Sequence, residues 1–411
     1  MRNQNWKTIA AAALNFLVAG TSAQTGALTD LGTLLAGQTN LTTFYNLIQK
    51  YPQILLELPS LNGVTILAPN NNAFNKIPYT ELNVAFQNNN EGVITNVLEY
   101  HILQGSRTAA QLIPGAPVFI PTLLNNATYS NVTGGQYVEN VKQAGNSVVF
   151  VSGKGSRSSV VQSDLKFNGG VIQVIDSLLI PPANLTDTAN SFNLTSFEGA
   201  LYAANKIQNF TDASDVTIFA PENSAFQALG PAISNMTVQE LSSIMDYHFI
   251  PSGEIFSPNF SNGTTFTTQN GAKITVRTSG NNVYINSAQL LTADILLANG
   301  VLHVIDNVLN PAESSVAPDP QVANQAPEFP SASAVENLPF TSALPCTVSC
   351  PVPSTASGTA TGTASSKATT SVKASGLSTS SSSGIGAAKA RETGFGAAGL
   401  MVALGGAVMM I

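Results

Sequence analysis

Cysteine is nearly missing from this chain: Cys346 and Cys350 are the only two, and both lie beyond the segments able to fold, so no disulfide holds a core together. Cys346-x-x-x-Cys350 can close a small loop, and with no histidine or further cysteine nearby the spacing does not suit zinc. Tryptophan occurs once, at Trp6 in the leader, so the mature chain lacks the indole platforms that commonly stack on sugar rings. Cations are scarce: residues 24–311 carry ten Lys or Arg against eighteen Asp or Glu, a balance of −8, which argues against nucleic acid as a partner. The folded region has no Gly-x-Ser-x-Gly elbow, and Gly153-Lys154-Gly155 lacks the upstream glycine and following hydroxyl of a phosphate loop. No cofactor is implied.

What is present begins with the two ends. Arg2 and Lys7 precede an apolar stretch from Ile9 to Ala19 and the small residues Thr21-Ser22-Ala23, the order of a secretory leader over residues 1–23. Gly394 to Ile411 is apolar and uncharged, behind Lys389, Arg391 and Glu392 and the small residues from Ser380 to Gly386. Small residues, a polar spacer and an apolar tail make the signal for a glycosylphosphatidylinositol (GPI) anchor, with attachment expected at Ser383 or Gly384 and residues 384–411 removed. A membrane span, the rival reading, needs about twenty apolar residues and usually cations beyond them. Nine Asn-x-Ser/Thr acceptors, at Asn40, Asn126, Asn131, Asn184, Asn193, Asn209, Asn235, Asn259 and Asn262, suit a glycosylated extracellular surface.

The interior of the chain repeats itself. Asn40-Leu-Thr-Thr-Phe44 returns as Asn193-Leu-Thr-Ser-Phe197, and the run from Val64 to Phe74 returns from Val216 to Phe226. Tyr100-His101-Ile102 returns as Tyr247-His248-Phe249, and Gly170 to Asp176 as Gly300 to Asp306. Four blocks in one order define a duplicated domain, over 24–183 and 184–311. The first copy carries extra residues near Asn125 to Gly135, where Asn and Gly predict a surface loop. From 312 to 383 Pro, Ala, Ser and Thr dominate, the composition of a disordered stalk.

Within each copy, Leu41, Phe44, Leu47 and Ile48 share a helical face, as do Leu194, Phe197 and Leu201. Val64 to Ala68 and Val216 to Ala220 read as buried strands, followed by helices capped by Asn71/Asn72 and Asn223/Ser224. A further helix carries Ile94, Val97, Leu98 and His101, matched by Leu241, Ile244, Met245 and His248. Val171 to Ile175 and Val301 to Ile305 read as central strands. Helices and strands mix without regular alternation, so each copy is expected to be an α+β module with a β-sandwich-like core and packed helices.

These blocks resemble the fasciclin domain, whose motifs are Thr-x-Phe-Ala-Pro-x-Asn-x-Ala-Phe and Asn-Gly-x-x-His-x-Ile-Asp with Tyr-His between. The second copy matches through Thr217 to Phe226, Tyr247-His248 and Asn299 to Asp306; the first departs at Leu67, Gly169 and Gln173. The resemblance covers about residues 27–311 and, with stalk and anchor, extends to fasciclin-like surface glycoproteins of fungi or plants. It implies cell adhesion or matrix contact. In animal members an Asp-Ile pair and the Tyr-His region are integrin-contact motifs; Asp294-Ile295, Asp164-Leu165, Tyr247-His248 and Tyr100-His101 occupy those places, with Thr292-Ala293 where the family has Asn-Lys.

The expected function is therefore non-enzymatic: adhesion, or contact with matrix or wall glycans and surface proteins, from a membrane held through a lipid anchor, with weak self-association left open. Two alternatives stand beside it. A carrier of a small apolar ligand would need an open pocket lined by Phe and Leu inside a domain. A glycan-active enzyme would need two carboxylates facing each other across a cleft. His101, His248 and His303 read as buried structural groups rather than metal ligands, and Asp176 and Asp306 as strand-end acceptors that fix turns.

Overall fold

Each domain is centred on a six-residue apolar strand that ends at proline. This computed structural model describes residues 28–345 apart from 57, 59–62, 112–116 and 144–146. In the first domain the strands are β1 (Val64–Pro69), β2 (Ile102–Gln104), β3 (Val118–Pro121), β4 (Tyr137–Lys142), β5 (Val148–Val151), β6 (Arg157–Phe167) and β7 (Gly170–Ile175). In the second they are β8 (Val216–Pro221), β9 (Phe249–Ile250), β10 (Thr265–Thr267), β11 (Lys273–Ser279), β12 (Asn282–Ile285), β13 (Ala288–Leu297) and β14 (Gly300–Ile305). The two seven-stranded sheets share one order, β2-β1-β7-β6-β5-β4-β3 and β9-β8-β14-β13-β12-β11-β10.

One pair in each sheet, β1 with β7 and β8 with β14, is parallel; the other pairs are antiparallel. Every residue of β1 and of β8 is buried, because Ile66 and Ala68 face a helix layer while Leu67 points into the curl of the sheet. Instead of two stacked sheets, one sheet bends until its ends meet. Leu123 N–H donates to Ile102 O at 2.9 Å in the first domain, and Gln269 N–H to Phe249 O at 2.8 Å in the second. The expected α+β module is thus a near-barrel with helices on one side. With no disulfide among the described residues, burial carries the stability, at about 1.5–3 kcal/mol for each enclosed Leu, Ile or Phe.

Helices form where the sequence periodicity places them, at Thr42–Lys50 and Thr195–Ala203, and at Glu91–Tyr100 and Val238–Tyr247. The capping expectation needs correction. Asn70, one residue earlier than predicted, caps the short helix Asn71–Phe74 by accepting from Ala73 N–H at 2.8 Å, and Glu222 precedes the matching helix without a side-chain cap. Asn71 instead reaches the first helix, where its Oδ1 accepts from Thr43 N–H at 3.0 Å and its amide donates to Thr39 O at 3.0 Å. Asn223 does the same with Ser196 N–H at 2.9 Å and Asn193 O at 2.7 Å. Each asparagine therefore staples two sequence blocks together.

The segment expected to begin a stalk at 312 does not leave the second domain there. It lies along that domain to Pro345, held by a few anchors. Glu328 is buried and accepts from the Ser287 hydroxyl and Asn310 N–H, and Phe329 joins the core. Val335 N–H donates to Gln227 O at 3.0 Å, and Phe340 meets Phe226 edge-on at 6.1 Å between ring centroids. The rest of the expected stalk, with Cys346 and Cys350, lies outside the described residues, as do residues 1–23, Ser383 and Gly384. Among the described residues no helix is long and apolar enough to cross a membrane.

Gly199 makes the strap's seat, since a Cβ there would stand 2.3 Å from Phe340 O. Gly199→Val should lift the strap, so that limited proteolysis cuts within 330–345 much faster than in the parent chain. The unfolding midpoint should fall by only a few degrees, as expected for a loss of about 1–3 kcal/mol.

Candidate functional site

The Tyr-His pair ends the third-block helix in each copy, and there both side chains turn inward. Tyr100 and Tyr247 are 0% exposed, His101 1% and His248 0%. His101 Nδ1–H donates to Val97 O at 2.6 Å, while its Nε2 accepts from Leu179 N–H at 2.9 Å. His248 repeats this with Ile244 O at 2.8 Å and Leu309 N–H at 2.9 Å. Tyr100 Oη donates to Tyr137 O at 2.8 Å and Tyr247 Oη to Lys273 O at 2.9 Å. The pair thus pins the helix end to the far strands and to the segment leaving the central strand. Side chains so enclosed offer no surface to a partner in the folded domain.

The Asp-Ile and Asp-Leu positions lie on bulges in β13 and β6, where Asp294 and Asp164 take positive φ of 64° and 61°. Asp294 N–H donates to His303 Nδ1 at 3.1 Å, and His303 Nε2–H donates to Ile255 O at 2.9 Å. In the first copy Gln173 does the work of this histidine: its Oε1 accepts from Asp164 N–H at 3.1 Å and its Nε2 donates to Arg107 O at 3.1 Å. The departure from the family motif therefore keeps the bulge and removes a titratable group. Asp164 and Leu165 are half-buried, and Asp294 and Ile295 are buried. Asp176 and Asp306 accept from Ser159 N–H at 2.8 Å and Gln289 N–H at 2.6 Å, as strand-end acceptors. Among the described residues no group of three or more His, Cys, Asp or Glu is placed to hold a metal. All nine glycan acceptors are exposed.

Sequence reasoning overlooked the junction between the domains. The extra loop of the first copy, expected at the surface, is a bracket: Asn131 N–H donates to Ala298 O at 2.7 Å, and Gln136 Nε2 to Leu297 O at 2.9 Å. Thr133 gives both its N–H and its hydroxyl to the Asp215 carboxylate, each at 2.6 Å. Phe119 stacks on Phe256 with centroids 3.8 Å apart, and Tyr137 meets the same ring edge-on at 5.2 Å. Beside this seal lies a cleft of about 490 Å³, whose lining includes Glu139, Val151 and Arg157 from the first domain and Asp294 and Ile295 from the second. Burial first, then the charge of Asp294, pushes Glu139 up to about 7, against the pull of Arg157. Glu254 is likewise raised to about 7, by burial and by the adjoining Asp215 carboxylate. The loop's presence in only one copy was the available signal.

Burial holds His101 and His248 neutral, with pKa values lowered to about 4 from 6.5. The unfolded chain takes up these protons at higher pH than the folded one, so this stabilisation is complete above about 6.5 and is lost as pH falls through about 4. His248→Ala should cost about 2–4 kcal/mol at neutral pH by leaving Leu309 N–H without an acceptor, read from urea unfolding. His248→Gln should remove part of the acid lability.

A family model described as the Fasciclin domain matches residues 39–181 and 192–311. A fasciclin-like arabinogalactan protein of Arthroderma benhamiae is 32% identical over 303 residues, covering 74% of this chain and 71% of that protein. Another, from Phaeosphaeria nodorum, is 27% identical over 281 residues, covering 68% and 88%. Among solved structures, a FAS1 domain pair from the insect cell adhesion molecule Fasciclin I matches at 21% identity, over 67% of this chain and 99% of that one, with a TM-score of 0.33.

Proposed function

This chain belongs to the fasciclin domain family, and from that premise we propose that it is a surface glycoprotein whose paired domains, over 24–183 and 184–311, make adhesive or matrix contacts. One observation carries the reading: the motif residues of both copies spend their polar groups inside the domains, while all nine glycan acceptors face outward. The contact surface is then the outer faces and their glycans, and the Tyr-His pairs act by holding the fold. The names of the relatives, fasciclin-like arabinogalactan proteins, agree with a place at the surface or in the matrix. A leader over 1–23 exports the chain, and a lipid at Ser383 or Gly384 retains it at the membrane or wall, its partners there being glycans or surface proteins.

A glycan-active enzyme is favoured by a single feature, the facing pair of Glu139 and Asp294 across the cleft. Hydrolysis of wall glycans by the purified chain, abolished by Glu139→Gln, would establish that reading in place of adhesion.

Cells lacking the protein should attach or aggregate several-fold less, and re-expression of the full chain should restore them. Equal rescue by a variant keeping only the leader and residues 312–411 would defeat the proposal. Phosphatidylinositol-specific phospholipase C should release the protein from intact cells; retention under conditions that release a control anchor would rule out the lipid attachment.

A further inference from the structure

The domain junction is built around carboxyl groups that resist ionising together while it stays closed. On one side Glu139 of β4 faces Asp294 of β13, with the Arg157 guanidinium of β6 drawing the other way. Lys154, in the turn before β6, does not serve Glu139, because it pairs with Glu81 at 2.5 Å. Behind Asp294 stands His303, its Nδ1 4.0 Å from Asp294 Oδ1 and both its ring nitrogens already bonded. At the other side Glu254 abuts Asp215, carboxyl against carboxylate, and Tyr137 of the first domain lies close to both. Asp215 is the group that receives both bonds from Thr133, so it works as a carboxylate. Glu254 Oε1 is buried with no hydrogen-bond partner, a placement tolerable for a neutral carboxyl and costly for a charged one. Two carboxyls in contact hold one proton between them.

We propose that this junction is a proton-controlled hinge, closed while Glu139 and Glu254 are protonated and loosened once both ionise. The partner that opposes ionisation of Glu139 sits on the other domain, so separating the domains frees it to titrate as a solvated glutamate near 4.5, whereas docked it holds its proton to about 7. Asp215 belongs to the same domain as Glu254, and there the change on separation comes from exposing to water a carboxyl beside which Tyr137 of the first domain lies. The closed form therefore binds more protons than the open form between about 4.5 and about 7. Docking is strongest below that window, weakens through it and is weakest above it. The inference concerns motion between the domains and holds whether or not the surface role proposed above is correct.

Hydrogen exchange on the full-length chain reads this hinge directly, through the amides of Asn131, Thr133 and Ala298 that bond across the junction or at its edge. Corrected for intrinsic rates, their protection should fall at least about tenfold between about pH 5.5 and about pH 8, one decade being the effect of a single unit of pKa change. Amides at the centres of β1 and β14 should keep theirs, and the Glu139→Gln, Glu254→Gln double variant should hold the junction closed at the higher pH. Equal junction protection at the two pH values would overturn the proposal. So would a loss that persists unchanged in the double variant, or one matched by the central strands, which would signal general loosening.

Discussion

The parallel pairing of the first and last strands is the constraint on which each domain depends. Val64 pairs with Gly170 and Val216 with Gly300, partners more than eighty residues apart in sequence. A Cβ on Gly170 or Gly300 would fall 2.2 or 2.0 Å from the carbonyl of its partner valine, so only glycine lets the strands come together there. Closing this pair encloses everything between and sets the two signature motifs side by side. Loop-closure entropy opposes so distant a contact, and the layers of Leu, Ile and Phe on both faces offset that cost without help from disulfides.

The motif residues then serve as fasteners at the seams of that construction. Thr65 accepts from Arg107 N–H and donates to Gly105 O, and Thr217 does the same with Ile255 and Gly253, all at 2.8 Å. Asn71 and Asn223 join helix to helix, and His101 and His248 join helix to outgoing chain. Proton uptake acts in opposite senses on two levels: it unsettles the neutral histidines inside each domain and favours the closed junction between domains. The histidine window, from about 6.5 down to about 4, overlaps that of the glutamates, from about 4.5 to about 7, so only between about pH 6.5 and 7 does the junction respond with the histidine contribution to domain stability intact.

The duplication, the central strands and the principal helices were legible because their signals are local: apolar runs, a 3.6-residue period, and blocks that recur in order. The near-barrel was not, since strand alternation is alike in a sandwich and in a sheet curled on itself. Nor was the swap of Gln173 for His303, whose equivalence lies in the placement of one acceptor and one donor. The junction escaped because its bonds end largely on backbone carbonyls such as Leu297 and Ala298, which leave no mark on composition. The strap escaped for the converse reason: Pro, Ala and Ser dominate it, and the few residues that anchor it, Glu328, Phe329 and Phe340, are diluted among them.

That strap also decides how the molecule meets mechanical load. Tension entering from residue 346 onward reaches Phe340, Val335 and Phe329 before it reaches any strand of the sheet. These anchors follow one another in sequence, so a pull on the C-terminal end of the strap loads Phe340 first, then Val335 and Phe329. The second domain is thereby shielded from forces that peel its strap but fall short of breaking its central parallel pair.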